Sequence, residues 1–380
     1  MKTLKEINFN DFVKLKRGYD LPNDKIVDGK YPVVASTSIK AFHKEYKVLP
    51  PSVVTGRSGS LGEVQFIDMP CWPLNTALYV KNFNKNNPKY VYYFLKMIHL
   101  ENFNSGAGVP TLNQNHLHKL KIKVHSEKEQ QQIAEILSAY DDLIETNNQR
   151  IATLEQLAQQ IYKEWFVRMR FPGWETTPFH HGIPDEWEQI SFGDVAKEVR
   201  RHIKLKDLKP NSIYVGLEHL PVKSIALQNW DNAESINSDK LLFHKNDILF
   251  CKIRSYLHKV ALAPVTGSCS SDTIVIKATE QRFLPYALQI AFCDSFIDFA
   301  TVTSKGTKMP RADWGVLKKF PIFKPSEQLL EKFNEISLPI LEQIQLLSEM
   351  NRSFIKTRNL LLPRLISGKL TIKQAEALAP

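Results

Sequence analysis

Most of the short motifs that mark an enzyme are missing from this chain. It has no G-x-x-x-x-G-K-[ST] string, so a Walker A phosphate cradle is excluded. It has no N-P-P-Y or D-P-P-Y string of the kind that marks an amino-methyltransferase, and no helicase or ATPase motif. Four cysteines occur, Cys71, Cys251, Cys269 and Cys293, with no C-x-x-C pair among them. A thiolate zinc site is therefore not expected, and they read as reduced, mostly buried thiols. There is no long uncharged apolar run, and the opening "MKTLKEINFNDF" is too charged for a signal peptide. The expectation is a soluble, cytoplasmic protein. Hydrophobic content of 43% and charged content of 24% exclude a disordered or collagen-like chain.

What is present is positive charge, and it is unevenly placed. The net charge is +10 over 380 residues, room for two or three domains. Residues 1–125 carry 18 Lys+Arg against 9 Asp+Glu, and residues 186–325 carry 20 against 15. Residues 126–185 between them carry 5 against 10. Two basic segments separated by an acidic one suit a chain that touches a polyanion at two places.

The chain also repeats itself. "GVPTLNQNHLHKLKIKVHSEKEQ" (108–130) falls on "KMPRADWGVLKKFPIFKPSEQLL" (308–330) at an offset of 200. Pro110 meets Pro310, Leu117 meets Leu317, and Ser126-Glu127 meets Ser326-Glu327. Upstream the offset becomes 196, where "VVTGRSGSLGEV" (53–64) falls on "LFCKIRSYLHKV" (249–260). A period this long is no solenoid and indicates a tandem of two whole modules. Each module opens with short strand-like segments rich in β-branched and aromatic residues, such as "YPVVAS", "SVVTG", "EVQFI" and "KLKIKV". Each closes on a long helix that starts at a serine followed by glutamate.

The first helix carries an a/d pattern in alternating steps of four and three, apolar but for one asparagine: Ile133, Leu137, Tyr140, Ile144, Asn147, Ile151, Leu154, Ala158, Ile161 and Trp165. This is a coiled-coil seam, uninterrupted by Pro or Gly to Arg170, and at 1.5 Å per residue it is roughly 60 Å long. The second helix repeats it through Ile336, Ile340, Ile344, Leu347, Asn351, Phe354 and Leu361, with Pro339 a candidate kink. Asn147 and Asn351 at seam positions are expected to fix register at some cost in stability. The two seams most simply pair antiparallel, with a module at each end. The boundaries expected are a first module over 1–125, helix over 126–170, linker over 171–187, second module over 188–325, helix over 326–362 and tail over 363–380. The fold class is α/β (α+β): two globular domains and a long two-helix coiled coil.

The glycine loop "VVTGRSGSLGEV" resembles a phosphate loop but fails every such pattern. It leads into a strand, and it lacks the last glycine of G-x-S-x-G. Its second copy has no glycine, yet basic side chains stand there at Lys252 and Arg254. A cradle of backbone N–H groups would not survive that change, whereas a loop presenting polar and basic side chains would. A tight turn with no function stays open beside it. The loops "NSGAGVPTLNQN" (104–115) and "TSKGTKMPRAD" (303–313) are a second matched pair. Candidate DNA contacts are therefore Arg57, Ser58, Ser60, Thr111, Asn113 and Gln114 in the first module. Those in the second are Lys252, Arg254, Ser255, Lys305, Lys308 and Arg311. Asn113 and Gln114 suit the bidentate contact to adenine, and the lysines and arginines suit phosphate or guanine. His116 and His118 read as surface histidines. Asp28 with Glu45 and Lys47 forms a weak nuclease-like D…E-x-K, which keeps open a restriction-nuclease fragment. A coiled-coil scaffold with no nucleic-acid role is a third reading.

The helical segments "EKEQQQIAEILSAYDDLIETNNQRIATLEQLAQQIYKEWFV" and "NRSFIKTRNLLLPRLISGKL" closely resemble the two conserved regions of type I restriction–modification specificity subunits. The resemblance implies that each module reads one half of a bipartite, asymmetric DNA site, with the helices as a ruler between the halves. Half-sites one helical turn apart lie roughly 34–36 Å from each other, within reach of such a spacer. It also implies two methyltransferase subunits docked on the helices and modules, and restriction subunits beyond them. Ile133, Leu137, Ile144, Asn147, Ile151, Leu154, Ile161, Trp165, Ile340, Ile344, Leu347, Asn351 and Phe354 are then the residues for helix pairing and partner docking. No catalysis, cofactor or metal would belong to this chain. S-adenosylmethionine, ATP and magnesium would be held by the partners.

Overall fold

The structure is a computed structural model that describes residues 4–106 and 108–377. It divides into two compact units, Met1–Leu143 with Phe354–Pro380, and Ile144–Ser353.

In the first unit a four-stranded antiparallel sheet has the order Lys14–Arg17, Ala77–Asn82, Ser52–Gly56, Val64–Ile67. The β-branched run of Ser52–Gly56 is buried on both faces, as suits one of the two inner strands. Helix Pro88–Met97 covers this sheet, and Val53, Leu78, Tyr90 and Phe94 share one core. Asn87 caps that helix by accepting from the Tyr90 N–H at 3.0 Å, and proline stands in its first turn, where no N–H is needed. A smaller sheet orders Ile39–His43, Tyr31–Val34 and Trp72–Pro73. The strand pair Lys5–Asn8 and Lys121–Val124 closes the module just before the long helix.

The second unit has the same plan. Its main sheet is Ala196–Glu198, Thr273–Ala278, Ile248–Cys251, Val260–Leu262, in the same order and antiparallel throughout. Gln189 and Ile190 of strand Glu188–Ser191 pair with Phe323 and Ile322, as Glu6 and Ile7 pair with Lys123 and Ile122. The side sheet grows to five strands, and helices Leu284–Phe292 and Asp294–Val302 cover the core.

The first long helix is Glu127–Tyr162 and the second Glu327–Ile366. Ser126 and Glu129 form a reciprocal cap at the start of the first, with the Glu129 N–H donating to Ser126 Oγ at 3.4 Å and Ser126 N–H to Glu129 Oε2 at 3.3 Å. In the first unit Tyr140 packs on Phe354, Asp141 pairs with Arg358, and His125 contacts the Leu365 carbonyl. In the second unit Asn147 bonds Asn351 and Trp165 packs on Phe333. Rising numbers on one helix meet falling numbers on the other, so the pairing is antiparallel within each unit.

Four details depart from the expectation. The first helix widens after Tyr162 into a π-helical turn, Lys163–Val167, instead of running regularly to Arg170. That turn carries Phe166 inward among Tyr286, Phe333 and Trp187, with ring centroids 4.8, 4.9 and 5.9 Å away. The second helix runs through Pro339 and Pro363 without interruption and ends at Ile366, four residues into the expected tail. Ile336 is 41% exposed and is no seam residue, because Phe333, Ser337 and Ile340 take the inward arc. The segment 171–187 is no free linker: Phe171 and Trp187 stack at 5.4 Å in the second unit's core, and Phe179–His180 pairs with Ile183–Pro184.

Candidate nucleic-acid interface

In each unit two loops are zipped together by backbone hydrogen bonds. In the first, the Gly59 N–H donates to the Pro110 carbonyl at 3.0 Å and the Leu112 N–H to the Arg57 carbonyl at 2.8 Å, setting Ser58 opposite Thr111. In the second, the Arg254 N–H donates to the Pro310 carbonyl at 2.9 Å and the Ala312 N–H to the Lys252 carbonyl at 2.8 Å, setting Ile253 opposite Arg311. The residues singled out in sequence from the glycine loop and the Pro110 loop are thus neighbours, as are their second-unit counterparts.

This hydrogen-bond match corrects the sequence alignment by one residue. Arg57 corresponds to Lys252, and Gly59 to Arg254. Seven residues separate Gly56 from Val64 in the first unit, whereas eight separate Cys251 from Val260 in the second. Gly59 and Arg254 share a left-handed backbone, with φ of 88° and 51°. Glycine adopts it freely, whereas arginine does so under strain.

The matched basic residues have a common structural task. Arg57 donates from its guanidinium to the Asn75 carbonyl at 3.1 Å, and Lys252 donates from Nζ to the Ser271 carbonyl at 2.6 Å. Each ties its loop to the turn before the second strand of its sheet. Arg57 therefore does not project freely as the sequence suggested. The turns Asn75-Thr76 and Ser271-Asp272 were missed, although they lie at the same offset of 196 as the strands that follow. Asp272 lies 3.5 Å from Lys252 and 3.4 Å from Arg311, so both cations are partly neutralised. Arg254, Lys305 and Lys308 are exposed and make no ion pair among the described residues. Lys305 is fixed all the same, since it exchanges backbone bonds of 3.0 and 2.9 Å with Arg311.

Three assigned side chains are not presented outward. Ser255 is buried, 3% exposed, because left-handed residues Arg254 and His258 flank a single 3-10 turn that rolls it inside. Asn113 caps helix Gln114–His118, accepting from the Asn115 N–H at 2.9 Å, and Gln114 Oε1 is buried without a partner. Neither amide is free to make the two-point adenine contact. Ser60 is exposed, while Ser58 is half-buried. Thr111 Oγ1 donates to the Val109 carbonyl at 2.9 Å. His118 is half-buried and accepts from the Leu15 N–H at 3.0 Å, and burial holds it below its ordinary pKa, so it is a neutral structural group.

Ile133, Leu137, Asn147, Ile151, Ile340, Ile344 and Leu347 are buried, and Ile144, Leu154, Ile161, Trp165 and Phe354 half-buried, all within their own units. They serve helix pairing and core, which leaves the buried ones no surface for a partner. Exposed apolar side chains on the same helices are Leu157, Ile336, Leu346, Met350 and Leu360. Lys47 of the nuclease-like triplet lies over the Trp72 ring at 4.6 Å. No group of three or more His, Cys, Asp or Glu among the described residues is placed to hold a metal ion. Burial pushes the Cys71 thiol up to about 11 and Cys269 up to about 12, which leaves both unreactive. No described helix is long and apolar enough to cross a membrane.

Residues 1–156 match the family described as the type I restriction modification DNA specificity domain. Over 310 residues the chain is 27% identical to the type I restriction enzyme MjaIX specificity subunit of Methanocaldococcus jannaschii, covering 75% of this chain and 70% of that protein. It is 20% identical to the EcoDI specificity subunit of Escherichia coli over 84% of this chain and 77% of that one. The chain is thus similar to the type I restriction specificity subunits. A crystal structure of a specificity subunit from M. genitalium shares the fold, with a TM-score of 0.65 at 15% identity, over 96% of this chain and 97% of that one. The mixed α/β plan with long helices is therefore the fold of that subunit.

Proposed function

We propose that this chain is the sequence-reading subunit of a type I restriction–modification complex, and that each unit reads one half of a bipartite, asymmetric DNA site. The observation that carries this is the matched pair of zipped loops, built on one backbone plan with different side chains. The first offers Gly59, Ser60 and Thr111, and the second Arg254, Lys305 and Arg311. One scaffold with two side-chain sets reads two different sequences. The cations supply salt-sensitive affinity to phosphate, and the polar groups supply discrimination.

The long helices set the distance between the half-sites and, with the modules, hold two methyltransferase subunits. S-adenosylmethionine, ATP and magnesium belong to those subunits and to restriction subunits. This chain itself binds and positions without catalysing, in the cytoplasm. Binding of the full chain to a bipartite duplex over a salt series tests the assignment. Lys305→Ala and Lys308→Ala should each flatten the log–log salt slope by about 1 and leave sequence preference intact. Arg254→Ala should cost about 1–3 kcal/mol on the specific site. Wild-type slope and affinity in all three variants would remove the second loop pair from the interface.

A further inference from the structure

A third loop joins each pair, and it follows the equivalent strand in both units, although the two turns are closed by hydrogen bonds of opposite direction. In the first, strand Tyr31–Val34 ends in a turn closed by the Ala35 N–H donating to the Ser38 carbonyl at 2.9 Å. In the second, strand Ile213–Val215 ends in a turn closed by the His219 N–H donating to the Gly216 carbonyl at 3.2 Å. The two are equivalent by position. Val34 accepts from the Leu74 N–H at 2.9 Å and Val215 from the Ser270 N–H at 3.1 Å, one residue before the matched turns Asn75-Thr76 and Ser271-Asp272.

In each loop the second residue after the strand lies inward and the third is exposed. Ser36 is buried and donates to the Ser58 carbonyl at 3.1 Å and to the Thr76 carbonyl at 2.8 Å, which ties the turn directly to the glycine loop. Gln65 donates to the Ala35 carbonyl at 2.9 Å and holds its other side. In the second unit Leu217 takes the inward place, packed on the cluster that contains Ile253, while Lys259 Nζ donates to its carbonyl at 2.7 Å. The third residues are Thr37 and Glu218, both exposed, with the Glu218 carboxylate folded back over Gly216. Glu218 makes no ion pair among the described residues, although Lys252, Arg254 and Lys259 lie on the neighbouring loop.

We infer that Thr37 and Glu218 are specificity-determining residues, one at the apex of each unit's third DNA-reading loop. This rests on the DNA-reading function proposed above. A free carboxylate on a phosphate-binding surface repels DNA unless it meets a hydrogen-bond donor. In the major groove the cytosine N4 amino group is the donor that Glu accepts from. Glu218 thus selects a C·G pair in the second half-site. Thr37 offers a methyl group and a hydroxyl, which suit the thymine methyl edge in the first.

The test uses the full chain assembled with its methyltransferase subunits, and a duplex library randomised across both half-sites. Wild type should select a bipartite motif. Glu218→Gln should relax one position of the second half-site by on the order of 5- to 150-fold and leave the first half-site and the spacing unchanged. Thr37→Val should alter one position of the first half-site only. The untouched half-site in each variant reports that the protein is folded. If wild type selects a bipartite motif and both variants select the same one with equal preference, the apex assignment is wrong while the DNA-reading function stands. Loss of preference in both half-sites on Glu218→Gln also overturns it. If wild type itself selects no motif, the DNA-reading function falls, and the apex assignment with it.

Discussion

Asn351 is fully buried, and its side chain closes a network of four amides inside the second unit. Its Oδ1 accepts from Asn147 Nδ2 at 2.9 Å. Its Nδ2 donates to Asn148 Oδ1 at 2.9 Å and to Gln228 Oε1 at 3.1 Å. Gln228 in turn donates to Asn148 Oδ1 at 3.2 Å, so Asn148 and Gln228 retain each other when Asn351 is removed. Asn147 has no second partner in this network and is itself buried, 4% exposed. Asn351→Leu keeps the volume but leaves the Asn147 amide without its acceptor. The expected cost is about 1–3 kcal/mol, the penalty for one buried unsatisfied polar group. Asn147→Leu alone leaves the Asn351 carbonyl oxygen in the same position and should cost a similar amount. The double variant buries two leucines against each other and removes both the Asn147 and the Asn351 orphan, so its loss should fall well short of the two single losses added together. Urea denaturation read as a double-mutant cycle measures this, following the transition of the second unit. A coupling of about 1–3 kcal/mol is expected. Additivity within about 0.5 kcal/mol would refute the claim that this pair is a buried register pin.

Burial holds the Glu155 carboxyl above its ordinary value, against the opposing pull of hydrogen bonds from Ser224, Ile225 and Ala226. A raised folded-state value means the folded protein keeps the proton longer. Stability from this group is then full below the unfolded value, near about 4.3, and is lost as pH rises through the folded value. Glu155→Gln should flatten that dependence in urea midpoints taken between acid and neutral pH, and an unchanged slope would count against it. Arg254→Gly relieves a left-handed arginine and should stabilise the second unit by about 1 kcal/mol while weakening DNA binding, so a loss of stability would contradict the strain. Gly56→Ala brings a Cβ to 2.1 Å from the Ser60 carbonyl oxygen and should destabilise the first unit by about 1–3 kcal/mol, visible as a lowered urea midpoint.

The parts legible in the sequence were those written in apolar spacing. The tandem repeat, the two long helices and the Asn147–Asn351 position all follow from periodicity, which burial enforces over many residues. What periodicity cannot see is a single inserted residue in a loop. That insertion hid the match of Arg57 with Lys252, which only the hydrogen bonds to Asn75 and Ser271 expose. It also hid which loop side chains turn inward. Ser255 reads as a polar loop residue, but two left-handed neighbours fold it under. Asn113 reads as a base-reading amide, but it stands one residue before a short helix whose N–H groups claim it. The Thr37 and Glu218 turns carried no sequence signal because their flanking strands belong to the side sheets, where the two modules share no obvious pattern.

The first unit is discontinuous, since its last portion, Phe354–Pro380, follows the whole of Ile144–Ser353. His125 meets the Leu365 carbonyl across 240 positions of chain. During synthesis at about 5–20 residues per second, the second unit takes roughly 10–40 s to emerge. For that interval the apolar stripe Ile133, Ala134, Leu137 and Tyr140 stands without Leu361, Leu365 and Ile366. The segment made first is thus finished last. Nascent chains of this protein should depend on dilution or chaperones at that stage more than either module's size suggests.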